Sequence, residues 1–140
     1  MVRINLINPK KLSDQHLIAE YNEILMLLGY VRKFPNLDND IPKRYKLGKG
    51  HIKFFKNKLI YLKKRHEIIK KEMSNRGFET NISIDLRGFS KELIKDWHPK
   101  DEDFEVIKKR LIEKINLKPR YYRYYGGDKS KRFFINLLNY

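Results

Sequence analysis

Three side chains near the start of the chain have both the chemistry and the spacing to form a site. His16, Glu20 and Glu23 stand at i, i+4 and i+7, so on an α-helix they fall along one stripe. Three chemistries suit that stripe. It can be a solvated polar flank, in which the i, i+4 pair adds a little helix support. It can supply metal ligands, but a bound ion needs more of them from a second helix, and the chain contains no Glu-x-x-His or His-x-x-x-His. It can hold a catalytic carboxylate with polar support. A second cluster lies far along the chain, where Tyr121-Tyr122-Arg123-Tyr124-Tyr125-Gly126-Gly127 sets four tyrosines around one arginine. Dense tyrosines pack cores and interfaces. Interleaved with Arg and followed by glycines, they also suit a surface on which unstacked bases lie. Both readings stand on composition alone. The glycines of Leu47-Gly48-Lys49-Gly50 lack the following Lys-Ser or Lys-Thr of a phosphate loop and read as a turn.

The elements that must position these residues follow from periodicity. Ser13 suits an N-cap, with Asp14 in the first turn where a negative charge favours the helix dipole. Leu17, Tyr21, Ile24, Leu28 and Val31 then mark one face of an amphipathic helix over residues 14–32. Residues 34–47 carry two prolines and read as loop. A long periodic run, Ile52, Phe55, Leu59, Leu62, His66, Ile69 and Met73, predicts one helix over 50–76, stopped by Gly77. Residues 78–90 alternate weakly, with no second strand to pair with, and are expected to be irregular. A short helix is expected from Ser90 to Asp96. Asp101, Glu102 and Asp103 lead a third main helix, 101–117, with Phe104, Ile107, Leu111 and Ile115 facing the core. The apolar tail Phe133–Leu138 is expected to pack on the body. The fold class is therefore all-α, with three main helices (14–32, 50–76, 101–117) and long irregular loops in a single compact domain spanning 1–140.

Composition limits the partners. Lys plus Arg number 32 against 17 Asp plus Glu, a formal net charge of +15 on 140 residues. Such an imbalance implies a polyanion, with nucleic acid first. An anionic membrane surface fits less well, because no basic helix is separate from a core-forming pattern. The chain has no Cys, which excludes disulfides, thiolate metal sites and cysteine nucleophiles and fits a reducing compartment. No apolar run approaches a membrane span, and the N-terminal stretch lacks the apolar run of a signal peptide. A cytoplasmic protein is expected.

Several stretches, in order, resemble the pyrimidine-dimer DNA glycosylase family of the phage endonuclease V type: RINL at 3–6, DQHL at 14–17, AEYNE at 19–23, LGKGHIKFFKNKL at 47–59, KKR at 63–65, RGF at 76–78, RLIEKI at 110–115, KP at 118–119 and YYRYYG at 121–126. The resemblance implies a small all-helical enzyme whose N-terminal segment threads between helices, bringing the terminal amine beside Glu23. It implies cleavage of the glycosidic bond at a cyclobutane pyrimidine dimer and then nicking of the abasic strand. After removal of Met1, the amine of Val2 is the implied nucleophile and Glu23 the catalytic carboxylate. An α-amine titrates near pH 7.7–8.0, so a useful fraction is neutral at physiological pH. Arg3 is implied to hold phosphate near the amine. Gln15 and His16 match polar residues of the site, and Arg110 and Lys114 match basic DNA contacts. Tyr122 and Arg123 belong to the matching aromatic stretch and count with Asn22 among the expected DNA-binding residues. Glu20 is left a structural role. Three departures stand out. Val2 replaces a residue that is commonly Thr, and Asn22 and Met26 stand where the best-known member has phosphate-contacting arginines. No cofactor and no metal is expected. The expected partner is double-stranded DNA carrying pyrimidine dimers or abasic sites, bound by a monomer away from any membrane. The alternative is a non-catalytic or differently targeted nucleic-acid-binding protein on the same fold. A homo-oligomeric interaction protein built on the apolar tail leaves the net charge of +15 unexplained.

Overall fold

The computed structural model describes residues 4–37 and 41–139. Its first regular element is a 3-10 turn, Pro9–Lys11. Helix α1 follows over Asp14–Lys33, opened by Ser13, whose hydroxyl accepts the His16 backbone N–H at 3.1 Å. The expected face is the buried one: Leu17, Tyr21, Ile24, Leu28 and Val31 are all in the core. Gly29 does not end the helix.

The single helix expected over 50–76 is two helices, α2 (His51–Phe55) and α3 (Leu59–Asn75). The break is made by tertiary partners. The first N–H groups of α3 are satisfied by a distant loop, Leu59 N–H donating to the Leu93 carbonyl and Ile60 N–H to that of Lys95. Lys56 is buried and donates to the Asn36 carbonyl. Because α2 has its own register, His51, Phe54 and Phe55 face inward while Ile52, expected in the core, is 40 % exposed. From Leu59 to Met73 the expected stripe is buried.

Residues 78–90 carry no regular strand or helix, as expected, and the short helix expected at 90–96 is only a turn at Lys91–Leu93. Helix α4 spans Asp101–Leu117, its entry closed by the Asp103 carboxylate accepting the Lys100 N–H at 2.8 Å. The tyrosine stretch departs from the all-α expectation. Strands β1 (Arg123–Tyr124) and β2 (Gly127–Asp128) pair antiparallel, Arg123 opposite Asp128 and Tyr124 opposite Gly127. Tyr125 and Gly126 make the turn, both at positive φ (53° and 76°), as a two-residue hairpin turn matched to strand twist requires. The apolar tail forms α5 (Lys131–Leu138), which seats Phe134 and Leu138 in the core. One 3-10 turn, five α-helices and one small hairpin are thus the elements among the described residues, and none of these helices is long and apolar enough to cross a membrane.

The main packing is α1 on α3 and α4 on α5. Residues Ile4–Ile7 are all buried. Leu6 gives its carbonyl to Arg65 of α3 at 3.0 Å, and the same guanidinium holds Glu20 of α1 through two bonds of 2.7 and 3.0 Å. Burial alone would lower the Arg65 pKa, but the charge and hydrogen bonds of Glu20 outweigh it and hold it above the ordinary arginine value. The entering chain is therefore pinned to both helices by one buried ion pair. Removing one partner strands the other charge, so Glu20→Gln is expected to cost about 3–5 kcal/mol in denaturant unfolding. The paired change Glu20→Leu with Arg65→Met is expected to recover most of that loss.

Candidate nucleic-acid interface

The first turn of α1 faces the segment that follows α4, and between them lies a cleft of about 300 Å³. Helix α1 lines it with Gln15, His16 and Ala19. Helix α4 contributes Arg110, Leu111, Lys114 and Leu117, the next turn adds Lys118, Tyr121 and Tyr122, and the entering segment adds Asn5. Three cationic side chains, Arg110, Lys114 and Lys118, thus share one opening.

The tyrosine hairpin is fastened to α1 by a buried charge network. The Arg76 guanidinium bonds Asp14 (2.9 Å), Glu72 (2.8 Å) and the carbonyls of Leu12 (2.9 Å) and Pro9 (3.1 Å). Its plane lies against the rings of Tyr124 and Tyr125, 4.6 and 4.9 Å from their centroids. Asp14 in turn accepts the backbone N–H groups of Tyr125 and Gly126 at 3.1 and 2.8 Å, and the Tyr125 hydroxyl donates to Glu72. A tyrosine at positive φ is strained, and these bonds hold it there. Gln15 completes the attachment: its amide donates to the Tyr121 carbonyl (3.2 Å) and accepts the Arg123 N–H (2.8 Å).

His16 is stacked on Tyr122, ring centroids 4.6 Å apart at 25°, and its Nδ1 lies 3.0 Å from the Ser13 hydroxyl. Burial, with the nearby Lys114 charge adding to it, pushes the imidazole down to about 4. It is uncharged at neutral pH and acts there as an aromatic wall and hydrogen-bonding group.

The residues expected from the sequence divide as follows. Gln15, His16, Arg110, Lys114 and Tyr122 converge on the cleft although they come from three separate stretches of chain. Glu23 is half-buried on α1, one turn beyond the cleft residue Ala19 and on the same side of the helix. Asn22 is exposed and outside the cleft lining. Arg123 is exposed at the start of β1, its guanidinium 3.3 Å from Asp128. Val2 and Arg3 lie outside the described residues. The metal reading of the His16–Glu20–Glu23 stripe loses Glu20, both of whose oxygens are taken by Arg65. Sequence reasoning missed Asn5, Lys118 and Tyr121. Tyr121 was in a cluster already singled out, but nothing marked Asn5, since no local pattern shows that a lone amide faces a cleft.

Helical layers around a cation-lined cleft with stacked rings at its wall define a protein shaped to hold a polyanion. The family model for pyrimidine dimer DNA glycosylases matches residues 1–86, and the chain belongs to that family. Membership sets it among DNA glycosylases, with DNA as the substrate.

The His16 shift has a definite pH consequence. An imidazole whose folded pKa lies below its unfolded value stabilises the fold fully above the unfolded value, near 6.5, and loses that contribution as pH falls toward 4. Urea unfolding at pH 7 and pH 4.5 is expected to show a smaller loss for His16→Gln than for the wild type. An NMR titration of the His16 ring with a midpoint near 6.5 would contradict this.

Proposed function

We propose that the protein is a DNA repair glycosylase with abasic-site lyase activity. It acts on cyclobutane pyrimidine dimers in double-stranded DNA, as a monomeric single domain spanning 1–140. The observation that carries the reading is the family match over residues 1–86, which includes Glu23 on the same side of α1 as the cation-lined cleft.

In this mechanism the amine of Val2, freed by removal of Met1, attacks C1′ of the damaged nucleotide. The N–C1′ bond forms as the glycosidic bond breaks, and the base leaves with a proton. Opening of the sugar gives an imine between C1′ and the amine. Loss of a C2′ proton then expels the 3′ phosphate by β-elimination, nicking the strand, and hydrolysis of the imine frees the enzyme. Glu23 stabilises the cationic sugar and moves the protons. Arg3 holds the phosphate beside the amine. Arg110 and Lys114 neutralise backbone charge, which offsets the cost of distorting the duplex. His16 and Tyr122 supply a rigid aromatic wall, and Arg123 and Asn22 lie farther out along the DNA. The chemistry needs no cofactor.

Borohydride trapping with dimer-containing duplex and fully Met-processed protein tests the reading. A covalent adduct at the N-terminal residue is expected, and its absence overturns the proposal. Glu23→Gln is expected to slow nicking by about 10²-fold or more. Lys114→Ala is expected to weaken binding of any duplex and to lower the slope of log affinity against log salt by about one.

A second reading is favoured by the exposed face of α1, where Asn22 and Met26 (69 % exposed) are uncharged. It is a nucleic-acid-binding protein on the same fold that does not cut. That reading requires salt-sensitive binding without nicking, and indifference to Glu23→Gln.

A further inference from the structure

Two side-chain amides line the cleft, and only one of them is hydrogen-bonded among the described residues. Gln15 is occupied at both ends by the hairpin backbone. Asn5 is 3 % exposed and shares the cleft with His16 and Lys114, and its side-chain amide makes no hydrogen bond to another described residue. The fully buried side-chain nitrogens and oxygens without a partner among the described residues are the two ring nitrogens of His66, so the Asn5 amide is not sealed in the core but opens onto the cleft, where a ligand can reach it.

The backbone around Asn5 is held with unusual completeness. Ile4 N–H donates to His51 Nε2 at 3.0 Å, and the Ile4 carbonyl accepts the Tyr45 hydroxyl at 2.9 Å. Leu6 sits at φ +61°, where Ile7 N–H closes back on the Asn5 carbonyl at 2.6 Å, and its own carbonyl is held by Arg65. A bulky side chain at positive φ persists only where its surroundings over-determine it, and such strain collects at functional sites. These contacts fix Asn5 against the cleft while leaving its amide without a hydrogen bond among the described residues.

We infer that Asn5 is a base-reading residue, whose amide hydrogen-bonds the edge of an unstacked nucleobase admitted to the cleft. The inference rests on the glycosylase reading above. An amide offers a donor and an acceptor side by side, and nucleobase edges carry the same pairing of groups. A phosphate has no proton for the amide oxygen, and deoxyribose within an intact strand has no hydroxyl to donate. The cations for phosphate stand elsewhere on the rim, at Arg110, Lys114 and Lys118, and the stacked His16–Tyr122 pair provides an aromatic wall.

The base can come from the lesion or from the opposite strand, and three duplexes separate these sources: a dimer opposite adenines, an abasic site opposite adenine, and a dimer opposite abasic sites. Single-turnover nicking by the wild type is compared with Asn5→Leu, a change of similar size. On the first duplex Asn5→Leu is expected to be slower by about 10- to 100-fold, the loss of a hydrogen-bonding pair. Sparing of the abasic duplex identifies the lesion base, whereas sparing of the dimer opposite abasic sites identifies the partner base. The spared duplex also shows that the variant is folded. No slowing on the first duplex, or equal slowing on all three, overturns the inference. A wild type inactive on all three overturns the glycosylase reading itself, and this inference with it.

Discussion

The Glu20–Arg65 ion pair is the constraint on which the rest of the structure depends. Both side chains are out of water, at 0 % and 3 % exposure. Desolvating two charges costs several kcal/mol per ion, by rough account, and the pair repays it only with good geometry and satisfied remaining hydrogen bonds. Here the fork of Arg65 meets both Glu20 oxygens, and its third nitrogen takes the Leu6 carbonyl. One guanidinium thereby joins α1, α3 and the entering chain. An apolar contact could bury as much surface, but it would not specify which backbone carbonyl lies where.

The entering segment is held at its other end by a histidine. His51 Nε2 accepts the Ile4 N–H, so the ring proton resides on Nδ1, which donates to the Lys46 carbonyl at 2.8 Å. A neutral imidazole in one tautomer thus links three stretches of chain. His66 has no such role. It is fully buried and stacked on Tyr21 at 4.6 Å, and burial lowers its pKa, so it serves as a flat aromatic filler between α1 and α3.

Helix α1 is the common reference for the whole site. Its first turn fastens the tyrosine hairpin through Asp14 and Gln15, its middle fastens the entering chain through Glu20, and the surface between them is the floor of the cleft. Because both attachments are polar and directional, the spacing of Asn5, His16 and Tyr122 is set to hydrogen-bond precision. Two of the rim cations, Arg110 and Lys114, sit on α4 and Lys118 just beyond its end, and α4 is steadied from behind by α5 and its buried Phe134 and Leu138. Rigid walls with flexible lysines at the edge suit a substrate whose backbone charge is uniform and whose distinguishing groups are small.

The sequence by itself determined the helices that obey local rules. Ser13 as cap and the stripe Leu17–Val31 specify α1, and Asp103 with Ile107, Leu111 and Ile115 specifies α4, because caps and periodicity act within a few residues. It also displayed the excess positive charge and, through ordered motifs, the family. What it could not display is anything decided by partners far along the chain. The α2–α3 break leaves no Gly or Pro and preserves the step of four from Phe55 to Leu59, so only the Leu93 and Lys95 carbonyls reveal it. Glu20 finds Arg65 across 45 residues, Asp14 finds Arg76 across 62, and Gln15 finds Tyr121 across 106. On one stripe of α1 the sequence placed His16, Glu20 and Glu23 as equals. Tertiary structure separated them, because burial beside Arg65 commits Glu20 to the ion pair and contact with Tyr122 commits His16 to the cleft wall.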